Sequence, residues 1–241
     1  MIDTLVVCYH AVSPTWDAAL SVTPSRFEAQ VRRLLRRGYR AATFSDAVDG
    51  TTDADRVMAI TFDDAYCSVP ELALPILRDL GVPATLFVPT AHLGSSEPMT
   101  WPGIDHWLGG PHERELVPAT GSQLTELLDA GWEIGSHTHT HPRLTEVDED
   151  ALAHELSTSR ELVAAATGET CRSLAYPYGA TGPEVAQAAD AAGYSAACTL
   201  QPRELPRRDR LMWPRVGIYH RDNAWRFAAK CSPIARRADD R

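Results

Sequence analysis

The chain has 241 residues, 44% hydrophobic and 23% charged, which supplies one large core and excludes a disordered polyelectrolyte. Its formal net charge of −9 argues against nucleic acid or anionic lipid as a partner, because both select basic surfaces. The 5 cysteines are widely separated and form no C-x-x-C pair, which argues against a disulfide framework and a thiolate zinc site.

The first ten residues carry no basic flank, and their apolar stretch is only a strand's length. No signal peptide is expected, and no run approaches the roughly 20 residues of a membrane span, so a cytoplasmic protein is the expectation. Short apolar runs predict buried strands over 5–9, 40–43, 57–62, 84–88, 133–136, 173–176, 195–199 and 216–219. Cys8 and Cys198 lie inside two of these runs and read as small buried hydrophobes.

Helical patterns fall between the strands. The first opens at Thr23-Pro24-Ser25, where Ser25 and Glu28 have capping-box spacing, and stops at Gly38. It puts Phe27, Val31, Leu34 and Leu35 on one face and four arginines mainly outside, the pattern of a solvated helix. Further helices are predicted over 69–80 with a kink at Pro75, 123–130, 149–167, 183–192 and 224–230. The stretch 91–120 is rich in Gly, Pro, Trp and His and weakly periodic, the mark of a functional loop. The tail after about residue 232 reads as a frayed end. Strand-helix alternation throughout predicts a single domain over 1–241, a parallel α/β barrel with its chemistry on loops at the C-terminal ends of the strands.

Three of those loops carry chemistry. In Thr61-Phe62-Asp63-Asp64-Ala65-Tyr66, adjacent carboxylates at a strand end point to opposite sides, so one can bind a cation while the other takes a proton. In Ser136-His137-Thr138-His139-Thr140-His141-Pro142, histidines recur at every other position in a chain with only 9. His137 and His141 converge on one ion if the loop coils, while His139 faces away. Two neutral imidazoles and a carboxylate make a facial site with open positions for water and substrate. In Tyr176-Pro177-Tyr178-Gly179, a turn after a strand can aim a backbone N–H at a developing oxyanion.

Together, in this order, these segments resemble the polysaccharide deacetylases (carbohydrate esterase family four, the NodB-like fold). TFDDAY is similar to that family's T-F-D-D-G motif, with Ala65 for the commoner glycine. SHTHTHPRL is similar to H-[ST]-x-x-H, and AYPYG to R-x-P-Y-G. The resemblance implies a distorted (β/α)7 barrel and removal of an N-acetyl group from an amino sugar. It makes Asp64, His137 and His141 ligands of a divalent metal, zinc first with cobalt, nickel, manganese or iron as alternatives. It also makes Asp63 the general base and the Tyr178 N–H an oxyanion donor.

Two departures stand out. Ala175 occupies the place of the arginine that orients the base, and no L-x-x-H near the C-terminus supplies the usual acid. Tyr9-His10-Ala11-Val12 resembles the Y-H-x-V opening of a rearranged subgroup typified by poly-N-acetylglucosamine deacetylases. His10 is therefore the expected acid, on a first strand that closes against the last, and Arg215 is the expected substitute for the missing arginine. Trp101, Trp107, Trp132 and Trp213 are candidates for stacking on sugar faces. Cleavage of a cyclic ureide or imide, and carbohydrate binding without catalysis, are the competing readings. Oligomeric state is not legible.

Overall fold

The computed structural model describes residues 3–200 and 209–233; the expectation for the tail falls almost wholly outside them. The first strand, β1 (Asp3–Tyr9), is followed by a two-strand pair, β2 (Ala11–Val12) and β3 (Ser21–Val22), and by helix α1 (Pro24–Arg36). Then come β4 (Arg40–Ala42), α2 (Phe44–Asp49), β5 (Arg56–Phe62), α3 (Leu74–Leu80) and β6 (Thr85–Val88). Alternation continues through α4 (Gly121–Asp129), β7 (Glu133–Ser136), α5 (Glu149–Thr167), β8 (Ser173–Ala175), α6 (Pro183–Ala191) and β9 (Ala196–Thr199). Two short strands, β10 (Trp213–Pro214) and β11 (Val216–Gly217), and helix α7 (Ala224–Lys230) complete the order.

The main sheet runs β10-β9-β8-β7-β6-β5-β1-β11, and its pairings are all parallel. Its two edges nearly meet through a single segment. Trp213 and Pro214 pair with Cys198 and Thr199 of β9, whereas Val216 and Gly217 pair with Val7 and Cys8 of β1. Arg215 sits at the changeover. Counting 213–217 as one stave beside β1, β5, β6, β7, β8 and β9 gives the seven of the expected distorted barrel.

Alternation along the strands sorts the core. Leu5, Val7, Tyr9, Met58, Ile60 and Phe62 point outward and pack with Phe27, Leu77, Leu127 and Leu156 of the surrounding helices. Val6, Ala59, Phe87, Ala175, Ala196 and Cys198 turn inward. Small residues dominate there because a barrel of this size leaves little room. The same period of two directs Cys8, Thr61 and Asp63 inward. Helix α2, which was not predicted, plugs the bottom: Phe44 N–H donates to Thr85 Oγ1 at 2.8 Å, and Ser45 donates through its backbone to Glu133 at 3.0 Å.

Several boundaries differ from the predicted ones for identifiable reasons. The cap of α1 is Thr23, whose hydroxyl accepts from Arg26 N–H at 3.4 Å. Ser25 lies inside the helix because Pro24, with no N–H to lose, suits the first position. The segment 69–80 divides into a π-helical turn, Val69–Ala73, and α3. Pro75 cannot donate to the helix ladder, so the wider turn falls before it. The last predicted strand stops at Gly217. The stretch 91–120 is tied down: Met99 N–H donates to Leu116, Ala119 N–H to Ala65, and the Ser13 hydroxyl to Glu115 Oε1 at 2.6 Å. Among the described residues no helix is long and apolar enough to cross a membrane.

Candidate active site and metal centre

The three motif loops converge at the C-terminal ends of β5, β7 and β8. Asp64 Oδ1 lies 3.3 Å from His137 Nε2 and 3.3 Å from His141 Nε2. All three side chains are buried. His137 Nδ1 is 2.7 Å from the Ala175 carbonyl, which can only accept, so the proton sits on Nδ1 and Nε2 turns a lone pair toward Asp64. The His137 lone pair, the His141 Nε2 atom and a carboxylate oxygen therefore face one another in a buried space, an arrangement that fits a cation. In the metal-free site a proton competes for the place. Burial would lower the His137 pKa, but the charges of Asp63 and Asp64 raise it above its ordinary value. His141, where burial dominates, is lowered.

Backbone strain concentrates here. The non-glycine residues of positive φ among those described are Asp64 (68°), Ala65 (55°), Thr138 (67°), His141 (63°) and Tyr178 (59°). All belong to the three motif loops. Each costs of order 1 kcal/mol or more, held by surrounding contacts. Ala65 adopts the left-handed conformation that glycine takes without a Cβ penalty, which explains why glycine is the commoner residue there. The histidine loop is fastened by Glu155 of α5, a buried carboxylate that accepts from the His139 and Thr140 N–H groups, each at 2.8 Å. His139 itself points away, its Nδ1 3.0 Å from Thr90 Oγ1.

Asp63 has different company. Arg215 grips it with two bonds, Nη1 to Oδ1 and Nη2 to Oδ2, both 2.7 Å, and a third reaches Thr61 Oγ1 at 2.9 Å. Ala175 thus lacks the arginine, and the barrel's last stave supplies one from the opposite side. Burial would raise the Asp63 pKa, but the Arg215 charge, His137 and the paired hydrogen bonds lower it to about 2. The Cys8 thiol adds a weak donor 3.4 Å from Oδ2.

His10 is buried beside this pair, its ring stacked 6.3 Å from that of Tyr219. One of its ring nitrogens, Cys8 Sγ and an Asp63 oxygen all lie within 4.8 Å of one another. Burial lowers the His10 pKa, more than the two aspartates raise it. Resting His10 is therefore neutral near pH 7.

The rim is aromatic. Trp101, from the 91–120 stretch, stacks on His141 with ring centroids 4.2 Å apart and planes 26° apart. Tyr178 meets the same ring at 4.9 Å and 64°, and is 36% exposed. Trp132 stacks on Phe62 at 5.6 Å and Trp107 packs edge-on to Trp16 at 5.7 Å, while Trp213 packs against the barrel interior. The expected sugar-stacking tryptophans are thus mostly consumed by packing. The roles of Cys8, Glu155 and Trp101 were missed in the sequence. Only Glu155 left a signal there, as a carboxylate on the buried stripe of α5 with Leu156, Ser159 and Val163.

The profile of the polysaccharide deacetylase family matches residues 50–197, the stretch that holds all three motifs. The chain belongs to this family. Among its relatives, the YxkH protein of Bacillus subtilis is 26% identical over 201 residues, 82% of this chain and 64% of YxkH. The poly-beta-1,6-N-acetyl-D-glucosamine N-deacetylase of Staphylococcus epidermidis is 24% identical over 209 residues, 81% of this chain and 67% of that protein. The chain thus spans about two thirds of the length of these curated relatives. The Streptococcus pyogenes deacetylase PplD, solved in complex with acetate, superposes with a TM-score of 0.77, 23% identity, 96% of this chain and 99% of that chain. At that identity the likeness is one of fold.

Proposed function

We propose that this family member is a metal-dependent hydrolase that removes an N-acetyl group from an amino sugar, its glycoside or its oligomer. The observation that carries the reading is the buried Arg215–Asp63 pair beside the Asp64, His137 and His141 cluster. It supports the reading because a carboxylate paired with an arginine lies beside three atoms suited to one cation. Asp64, His137 and His141 would hold that cation, and two imidazoles with one carboxylate accept zinc, cobalt, nickel, manganese or iron. When bound, it would polarise the acetyl carbonyl and acidify the attacking water.

The residues divide the rest. Asp63, with its pKa near 2, is ionised at neutral pH but a weak base, which suits a water that is already acidified. It takes one proton as the hydroxyl oxygen bonds to the acetyl carbon. The Tyr178 N–H donates to the carbonyl oxygen as that oxygen becomes negative. An amide nitrogen leaves only as an amine, so the C–N bond breaks with delivery of a proton. Asp63 passes its proton to neutral His10, whose lowered pKa makes the imidazolium a strong donor to the departing nitrogen. The products are the acetyl acid and a free amino sugar.

The test is acetate and amine release from N-acetylglucosamine oligomers by zinc-loaded protein, with hydantoin as the ring-opening control. Stoichiometric acetate and amine are expected. Ring opening of hydantoin with no acetate from any acetamido sugar would replace this reading with the cyclic-amide one.

A further inference from the structure

A second set of ligand-type atoms adjoins the deacetylase centre. Cys8 and His10 stand two residues apart at the end of β1, and Asp63 follows β5, its N–H bonded to Tyr9 O at 3.0 Å. Cys8 Sγ, a His10 ring nitrogen and an Asp63 oxygen are buried and lie within 4.8 Å of one another. Sγ stands 3.4 Å from Oδ2. Two ligands on one tetrahedral ion, at about 2.3 Å for sulfur and about 2.0 Å for oxygen, are separated by about 3.5 Å. His10 Nδ1 is buried without a hydrogen-bond partner.

Charge selects the ion. Burial holds the Cys8 thiol well above its usual pKa, so it is neutral at rest. Once a bound ion displaces its proton, with Asp63 ionised and Arg215 bound to both carboxylate oxygens, the ligand group carries one net negative charge. A divalent ion would leave an uncompensated positive charge in a buried space, whereas a monovalent ion neutralises it. The thiolate favours a soft ion, and imidazole accepts copper.

We propose that Cys8, His10 and Asp63 form an inhibitory site for a soft monovalent cation of the copper(I) class, distinct from the Asp64, His137 and His141 cluster. Binding exchanges the Cys8 thiol proton, released to solvent, for a sulfur–metal bond, with no change of oxidation state. It occupies the base and the proton donor at once and leaves the hydrolytic cation in place. The binding stands on the geometry; only the inhibition rests on the deacetylase reading.

Silver(I), which resists redox change, is the probe. Zinc-loaded full chain carrying Cys67→Ser, which removes the half-buried thiol, is titrated with silver while bound silver, retained zinc, thiolate charge-transfer absorption and activity are followed. One silver is expected to bind with a new ultraviolet band, full zinc retention and loss of activity. Adding Cys8→Ser, which keeps a donor for Asp63 but no soft ligand, should abolish the band. It should also raise the silver needed for half-inhibition about tenfold or more, relative to that variant's own uninhibited rate. Unchanged stoichiometry and sensitivity in the Cys8→Ser protein would overturn the site, as would silver expelling zinc one for one. Should the protein show no deacetylase activity, band and stoichiometry still decide the binding.

Discussion

Replacing Arg215 with methionine tests the arrangement most directly, because it removes the charge and keeps the bulk. The Asp63 carboxyl is held at about 2 in the fold against an ordinary 3.8, a difference that corresponds to roughly 2.5 kcal/mol of stability. The folded carboxyl is the stronger acid, so this contribution is complete above about pH 4 and lost as pH falls toward 2. Arg215 and Asp63 are each only 1% exposed, so solvent screens little of it. In Arg215→Met the carboxyl stays buried without its partner, and burial then raises its pKa. The loss near pH 7 should therefore reach about 3–5 kcal/mol. Urea unfolding of metal-free wild type and variant, at pH 7 and in steps down to pH 3, measures both effects. Asp63→Asn in the variant background should recover part of the loss, since no charge is then stranded. A cost below about 1 kcal/mol at pH 7, or an unchanged acid limb, would refute the reasoning.

Other outcomes follow from the same geometry. Elemental analysis should find one divalent ion in wild type and far less in His137→Ala, His141→Ala and Asp64→Asn; equal metal in all four would remove the site. Asp63→Asn should keep nearly all its metal yet lose turnover by at least about a hundredfold, because an amide cannot take the proton. His10→Ala should fold and hold metal but lose most amide hydrolysis, with a much smaller loss on an activated acetyl ester that needs no leaving-group proton. A near wild-type rate on acetamide would reject its assignment. Trp101→Ala should weaken metal binding roughly tenfold by isothermal titration, because the indole packs on His141, whose Nδ1 has no hydrogen-bond partner. Trp101→Phe should restore most of the affinity, and equal affinity in wild type and alanine variant would show that the stack positions nothing.

Much of the molecule could be read from local order. Apolar runs bounded by turns located the barrel strands within a residue or two, except β10, which was not predicted, and the 3.6-residue stripes located six of the seven α-helices among the described residues. Helix α2 escaped because six residues are too few for a periodic signal. The three motif loops were legible because each candidate site residue follows a strand end, where a parallel barrel gathers its loops. The Asp64, His137 and His141 cluster needed only two segments, and the resemblance to the family's motifs paired them.

Long-range pairings were a different matter. Arg215 and Asp63 are 152 residues apart in sequence, and their contact exists only because the last stave turns its two halves to different neighbours and points Arg215 inward. Nothing local to Trp-Pro-Arg-Val distinguishes that from a surface arginine. The depressed pKa of His10, the Cys8 contact with Asp63 and the Trp101 stack on His141 have the same origin. Residue types and their spacing along the chain determined which chemistry was present. Closure of the barrel decided which groups share one buried volume, and burial with its charged neighbours, a property of three-dimensional packing, set their protonation.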